Sequence, residues 1–145
     1  MQTISIAIGS DHAGYTAKTA LIQHLKLHGY QITDVGTHSL ESADYPDFAH
    51  AVANQINNGD AQMGFLLCGS ANGVAIAANK HTNIRAAIAW LPELAALARQ
   101  HNNANILCFP ARYVTITDIY AMADIFLNTE FEGGRHKNRV DKINC

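Results

Sequence analysis

The chain has 145 residues, of which 48% are hydrophobic and 15% are charged, and its formal net charge is -2. This length and balance predict a single globular domain over residues 1–145 and exclude a disordered chain. The small negative charge excludes a general attraction for nucleic acid or for an anionic membrane surface.

The cysteines and the N-terminal stretch indicate the compartment. Cys68, Cys108 and Cys145 are too few, and odd in number, for a disulfide framework, and they fit a reducing environment. The first residues lack the basic region and the apolar stretch of a signal peptide, and no window reaches the ~18 apolar residues of a membrane helix. We therefore expect a cytoplasmic protein with no membrane partner.

Strands and helices alternate along the first half of the chain. Hydrophobic periodicity predicts a strand at 4–8, a helix at 15–28, a strand at 31–35, a helix from Pro46 to Ile56 and a strand at 63–67. Gly29 is a typical residue after a helix end, and Pro46 suits a first helical turn.

The same alternation continues in the second half. A helix is predicted at 74–80, a strand at 84–89, a helix at 92–101, a strand at 105–109 and a helix at 117–127, capped by Thr115 or Thr117. Residues 130–145 form a basic C-terminal tail or helix. The pattern indicates an α/β fold, a three-layer, doubly wound, Rossmann-like architecture with a five-stranded parallel sheet and helices on both faces.

The loop GSDHAG follows the first predicted strand, where such sheets bind ligands beyond the carboxyl ends of their strands. It matches neither the dinucleotide fingerprint nor a Walker loop, so NAD and ATP are disfavoured. It places Asp11 and His12 together as a carboxylate and an imidazole. The alternative is that Asp11 simply caps the next helix through backbone N–H groups.

The loop CGSANG follows the third strand and leads into a helix. At this position Cys68 would face backbone N–H groups and a helix dipole, which favour a thiolate and an oxyanion. The alternative is that Cys68 is a small buried hydrophobic residue. Cys108 has no such loop after it, so we assign it to the core.

Two further groups lie near the end of the chain. His101 and Asn102 close a helix just before the fifth strand, where a histidine can also act as a simple C-cap. Arg135 and Arg139 are four residues apart and would share a helical face able to bind a dianion, or would belong to a solvated basic tail. No aromatic residue separates these basic residues, so we expect no nucleic-acid partner.

No metal site is predicted. His24 and His28 have the i, i+4 spacing of metal ligands, but no Cys, Asp or Glu lies near them in the sequence. We therefore expect both histidines on a solvent-exposed helix face.

Six motifs together resemble the family of ribose-5-phosphate isomerase B, which also includes galactose-6-phosphate isomerase subunits. They are GSDHAG, the turn Asp44-Tyr45-Pro46, CGSANG, IAANK, RQHNNAN and EGGRHKNRV, in this order from residue 4 to about 143. The loop CGSANG departs from the family at Ala71, which replaces a glycine, and a positive φ there would strain an alanine. Pro110 and Ala111 replace the usual Gly-Ser before Arg112.

The resemblance implies a role for each matching residue. Cys68 corresponds to the base that moves a proton between C2 and C1, His101 to the residue that opens the furanose ring, Asp11 to its assistant and Ser70 to a catalytic hydroxyl. The residues that correspond to substrate-binding positions are His12, Tyr45, Gly69, Ala71, Asn72, Gly73, Asn102, Arg112, Arg135 and Arg139. Among these, the amides of 69–73 correspond to the enediolate site, and His12 and the three arginines to the phosphate site.

The resemblance also implies the reaction, interconversion of D-ribose 5-phosphate and D-ribulose 5-phosphate through an enediolate in the non-oxidative pentose phosphate pathway. A 1,2-proton shift needs a base, an oxyanion site and a ring-opening acid, so neither a cofactor nor a metal is expected. The family works as homodimers or homotetramers whose sites are shared between subunits. The alternatives are an isomerase of galactose 6-phosphate or allose 6-phosphate, and a non-catalytic sugar-phosphate sensor.

Overall fold

The computed structural model describes residues 3–144, so Cys145 lies outside the described part of the chain. Its elements are β1 (Ser5–Ser10), a 3-10 turn (His12–Gly14), α1 (Tyr15–Leu27), β2 (Gln31–Asp34), α2 (Tyr45–Asn57), β3 (Met63–Cys68), α3 (Asn72–Ala78), β4 (Ala86–Ile88), α4 (Pro92–Gln100), β5 (Ile106–Pro110), α5 (Ile116–Leu127) and α6 (Arg135–Asp141). Each predicted strand and helix is present, with its ends displaced by a few residues, and the basic tail contains helix α6.

The sheet has five parallel strands in the order β2-β1-β3-β5-β4. The predicted α/β architecture is therefore confirmed, and β5 lies between β3 and β4 rather than at the sheet edge. Strands β1 and β3 are neighbours, although β2 intervenes between them in the sequence. The strand order reverses at this pair, and ligands in open α/β sheets bind beside the carboxyl ends of such strands.

Both faces of the sheet are covered by helices. In β1, Ile6 and Ile8 pack on one side with residues of α1, α4 and α5, whereas Ala7 packs on the other side with residues of α2 and α3. This alternation follows from the twofold repeat of a strand. Burial on both faces explains why the three central strands β1, β3 and β5 are mainly apolar, whereas the edge strand β2 is polar and largely exposed.

Helix α1 packs against α5 through a polar contact that the sequence analysis missed. His24 lies with its Nε2 2.9 Å from Asp124 Oδ1, and its ring stacks on Tyr120 at 4.3 Å. The expectation that His24 faces solvent is therefore wrong, because its acidic partner comes from a distant part of the chain. His28 is exposed, as expected.

The start of α5 and the length and polarity of the helices test two further predictions, the cap of α5 and the absence of a membrane helix. Thr115 rather than Thr117 caps α5: its side chain accepts a hydrogen bond from the Asp118 N–H, and Asp118 accepts one from the Thr115 N–H. Across residues 3–144, every helix is too short or too polar to cross a membrane.

Candidate active site

The carboxyl ends of β1, β3 and β5 border one cavity of about 390 Å³, which we call the thiol cavity. It is lined by Asp11, His12, Ala13, Tyr45, Cys68, Gly69, Ser70, Gly73, Arg112 and Tyr113. All of these except Ala13 and Tyr113 are predicted site residues. The structure therefore brings the motifs GSDHAG and CGSANG, Tyr45 and Arg112 together at the point where the strand order reverses.

Cys68 lies at the end of β3 and connects the core with the thiol cavity. Its side chain packs in the hydrophobic cluster between the sheet and helices α2 and α3, and only 5% of the residue is exposed. Its carbonyl oxygen accepts a hydrogen bond of 2.9 Å from the Ala111 N–H, which ties the loop after β3 to the loop after β5. Cys68 is therefore both a buried residue and a lining residue of the cavity.

Cys108 lies on the neighbouring strand, fully buried. Burial, and secondarily the charge of Cys68, raise the pKa of the Cys108 thiol far above its ordinary value. Cys108 therefore stays protonated, and its predicted place in the core is confirmed.

The loop between Cys68 and α3 contains a left-handed residue. Ala71 has a φ of 67°, so the positive φ considered for this position is present on an alanine. The Asn72 N–H donates to Ser70 Oγ at 3.3 Å. Ser70 lines the thiol cavity, whereas Ala71 is fully buried and Asn72 lines an adjoining surface groove.

The loop after β1 holds its two polar residues by backbone contacts. Asp11 Oδ1 accepts hydrogen bonds from the N–H groups of Ala13 and Gly14 at 3.0 and 3.2 Å, so the capping interpretation is correct, although Asp11 also borders the cavity. His12 Nδ1 accepts a hydrogen bond of 3.2 Å from the Ala43 N–H. Because Nδ1 is an acceptor, a neutral His12 carries its proton on Nε2, where it can be donated to an anion.

Two glycines allow larger side chains to approach the thiol cavity. A Cβ on Gly73 would overlap the ring of Tyr45, and a Cβ on Gly69 would lie 3.1 Å from Arg112 Nη1. The guanidinium group therefore rests against the loop after β3, and the aromatic ring rests against the first turn of α3. Any larger residue at Gly73 would displace Tyr45.

The predicted residues near the end of the chain lie away from the thiol cavity. His101 and Asn102 precede β5, whereas the register pairs Ile106 with Gly64 and Pro110 with Cys68. The first residue of β5 is thus four strand steps, about 13 Å, from the level of Cys68, and the His101 loop precedes that residue at the amino end of the sheet. The structure does not bring these two halves of the predicted site together within one chain.

A second cavity of about 300 Å³, the histidine cavity, contains most of this other half. It is lined by His101, Asn102, His136, Arg139, Val140 and Ile143. Arg135 and Arg139 both lie on α6, as the spacing predicted, and both are exposed. Two cationic side chains are thus available next to the histidines.

Two neighbours of His101 were not singled out by sequence reasoning. The rings of His101 and His136 stack at 4.2 Å with an angle of 12°, and Glu132 Oε1 lies 3.6 Å from His101 Nε2. The pKa of His136 is lowered by desolvation and by the positive charges of His101, Arg135 and Arg139, whereas the negative charge of Glu132 raises it. The motif EGGRHKNRV contains both residues, but their contact with His101 depends on the fold.

The same three side chains are the strongest potential metal ligands among residues 3–144. Their ligand atoms all lie within 4.8 Å of one another. The two imidazoles are stacked nearly parallel, so their nitrogen lone pairs do not converge on one ion. This geometry favours a polar cluster over a metal centre.

Comparison with known proteins identifies the family. The profile of the ribose/galactose isomerase family matches residues 6–143. A probable ribose-5-phosphate isomerase B of Mycoplasma genitalium is 44% identical over 97% of this chain and 94% of its own length, and ribose-5-phosphate isomerase B of Escherichia coli is 41% identical over 95% and 93%.

Solved structures give the same result. A crystal structure of a ribose 5-phosphate isomerase from Thermotoga maritima has a TM-score of 0.97 and 45% identity, and covers 99% of both chains. The structure of ribose-5-phosphate isomerase B from Mycoplasma genitalium with bound ribulose 5-phosphate has a TM-score of 0.93 and 43% identity, over 99% of this chain and 95% of that chain. These matches in sequence and structure establish that the chain belongs to the ribose/galactose isomerase family.

Proposed function

We propose that this chain is an aldose–ketose isomerase that interconverts D-ribose 5-phosphate and D-ribulose 5-phosphate. The observation that carries the proposal is the position of Cys68, which ends a buried strand and still lines the thiol cavity together with His12, Tyr45 and Arg112. The names of the relatives support the same reaction, and one of the similar structures contains ribulose 5-phosphate.

In the proposed reaction Cys68 acts as the base. Its thiolate removes the proton from C2 of the open-chain aldose, the C1=C2 bond forms, and the carbonyl oxygen on C1 becomes negative. A proton then passes from O2 to O1, the thiol returns its proton to C1, and C2=O2 forms. Backbone N–H groups of the loop 69–73 stabilise the enediolate oxygen, a task that preorganised amides perform well in a site sheltered from water.

The phosphate and the sugar bind at the rim of the thiol cavity. Arg112 offers a bidentate guanidinium group, and His12 offers its Nε2–H because Nδ1 is occupied by the Ala43 amide. Tyr45 packs beside the loop after β3 and lines the sugar site. Binding of the distant phosphate holds C1 and C2 against the sulfur, which is how remote contacts contribute to rate.

The remaining residues come from a second copy of the chain. His101, Asn102, Arg135 and Arg139 lie away from the thiol cavity of their own subunit, and this separation supports a homodimer or homotetramer whose sites combine two halves. His101 then donates a proton to the ring oxygen of the furanose, and Asp11 accepts the proton of O1, so that the ring opens before the proton shift.

An apolar groove beside the thiol cavity supports this association. It lies at the carboxyl ends of β4 and β5 and contains Ile88, Trp90, Leu91, Pro110 and Tyr113. Trp90 is 53% exposed and Tyr113 is 78% exposed, and a contiguous apolar patch of this kind is typical of a surface that another chain covers. Ser70 and Tyr113 line both the groove and the thiol cavity.

The test compares two cysteine variants. We expect Cys68→Ala to lower kcat for ribose 5-phosphate by about 10³-fold, the usual contribution of a positioned general base, with an unchanged circular dichroism spectrum. Cys108→Ala is the matched control, since it removes the same thiol from a position outside the cavity, and it should keep wild-type turnover per folded protein.

Activity like that of the wild type in Cys68→Ala would refute the assignment of the base. The same assay should include allose 6-phosphate and galactose 6-phosphate, because a higher kcat/KM for either would replace the pentose by a six-carbon substrate. Binding without turnover of all three sugars would identify a sensor instead of an enzyme.

A further inference from the structure

We propose that Glu132 is a positioning residue for His101, holding the imidazole in the orientation needed to open the sugar ring. The inference rests on the proposed function, in which His101 is the ring-opening acid. It assigns a part in catalysis to the segment before α6, whereas α6 itself carries the two arginines proposed to bind phosphate. Three observations support it: the contact of Glu132 with His101, the stacking of His136 and the anchoring of the surrounding backbone.

The carboxylate of Glu132 approaches one particular nitrogen of His101. Glu132 Oε1 lies 3.6 Å from Nε2, so Nδ1 is the nitrogen that would meet the sugar. To donate a proton to O4 from Nδ1, the ring must be an imidazolium, with its Nε2–H toward Glu132 and its Nδ1–H toward the sugar. An imidazole has two distinct nitrogens, and the partner of one nitrogen determines what the other can do. His136 stacks on the face of the same ring at 4.2 Å. The ring is thus held at one edge and on one face.

The backbone around this contact is anchored on both sides. The Glu132 N–H donates to the Gln100 carbonyl oxygen at 3.1 Å, so Glu132 is attached directly to the end of the helix that carries His101. Gly133 and Gly134 follow with φ of 69° and 55°. These left-handed residues turn the chain so that His136 comes back onto the His101 ring.

Arg99 fixes the base of the same loop. Only 9% of Arg99 is exposed, and its guanidinium group donates to the carbonyl oxygens of Thr129 and Ala104 and to Asn103 Oδ1 at 3.1, 2.6 and 3.0 Å. It therefore connects the loop after α4 with the segment that leads to Glu132. The His101–Glu132 contact lies between two anchored segments instead of on a free tail.

The proposed role separates ring opening from proton transfer. In ribose 5-phosphate the C1–O4 bond must break, with a proton delivered to O4 and one removed from O1. Ribulose 5-phosphate cannot form a furanose, because the C5 hydroxyl that would close the ring on C2 carries the phosphate. Exchange of a C1 proton of ribulose 5-phosphate with solvent deuterium therefore needs the base and the oxyanion site, but no ring opening.

The experiment measures both activities in Glu132→Gln, with a chelator present so that metal binding to the cluster plays no part. We expect kcat for ribose 5-phosphate to fall about 10-fold, because a displaced catalytic group loses rate steeply, with KM within about twofold of the wild type. Deuterium exchange into ribulose 5-phosphate should stay within about twofold. Glu130→Gln is the matched control, since Glu130 is also exposed on this segment, and both of its rates should match the wild type.

A double variant adds a second measurement. If Glu132 acts through His101, His101→Asn combined with Glu132→Gln should be no slower than His101→Asn alone, whereas independent effects would multiply. The inference is wrong if Glu132→Gln leaves ribose 5-phosphate turnover unchanged, if it slows deuterium exchange equally, or if Glu130→Gln has the same effect. A wild-type protein with neither activity would refute the proposed function itself, and the inference with it.

Discussion

Ala71 adopts a backbone conformation that favours glycine, in the loop that borders the thiol cavity. Replacing Ala71 by glycine would relieve the strain of this conformation, which costs an L-residue about 1–2 kcal/mol. The same replacement would remove a buried methyl group and give the unfolded chain more conformational freedom, and these two effects together destabilise the fold by a similar amount. We therefore expect Ala71→Gly to change the free energy of unfolding by less than about 0.5 kcal/mol. Urea denaturation followed by circular dichroism measures this change.

Ala77 provides the control for this prediction. It is also buried but lies inside α3 with helical geometry, so Ala77→Gly gains no relief of strain. That substitution should cost at least about 1 kcal/mol of unfolding free energy. Equal losses in the two variants would show that the alanine at position 71 is not strained, and that the departure from the family's glycine has no energetic consequence.

A histidine pair connects helix α2 with the loop after α3. His50 Nδ1 and His81 Nε2 are 2.6 Å apart, so one ring donates its proton and the other must accept it. The pKa of His81 is lowered by burial and then by the charge of His50. Below about pH 6.5 the unfolded chain therefore binds more protons than the folded one, and stability falls as the pH decreases through this range.

We predict that His81→Gln reduces this acid sensitivity. The urea midpoint should fall between pH 7.5 and pH 5.5 in the wild type and fall less in the variant, because the group that resists protonation is gone. His28→Gln, which replaces an exposed histidine on α1, should keep the wild-type difference. An identical pH dependence in His81→Gln and the wild type would mean that the pair does not contribute to acid destabilisation.

The central strands were predictable from the sequence because both of their faces are buried. Runs such as 63–67 are apolar throughout, and the helices between them show helical spacing and caps, so the number, kind and parallel direction of the elements follow from local patterns. The position of β5 between β3 and β4 does not, because alternation along the chain leaves the order of neighbours open. The contact of His24 with Asp124 could not be predicted for the same reason, since it depends on which helices pack on the same face of the sheet.

At the scale of the whole molecule, one part of the candidate site was predictable from the sequence pattern and another part was not. The loops after β1, β3 and β5 line the thiol cavity at the carboxyl ends of the strands, which is where ligands were expected to bind. His101 precedes β5 and lies at the opposite end. Its assignment to the site came from the resemblance alone, and Glu132 was missed because its contact with His101 depends on the fold.

The proposed sharing of sites between subunits predicts complementation between two inactive variants. In a mixed dimer of Cys68→Ala and His101→Asn chains, one site combines both defects, while the other combines an intact Cys68 with an intact His101. Random mixing makes half of the dimers mixed, so about a quarter of the wild-type sites should return. Unfolding and refolding the two variants together, and assaying ribose 5-phosphate turnover, measures this recovery.

A mixture of Cys68→Ala with Cys68→Ala/His101→Asn is the control and should stay inactive, because it contains no intact Cys68. If the first mixture also stays inactive while it forms mixed dimers, then each subunit must complete its own site, and the separation of the two cavities within one chain would need a conformational change to close it.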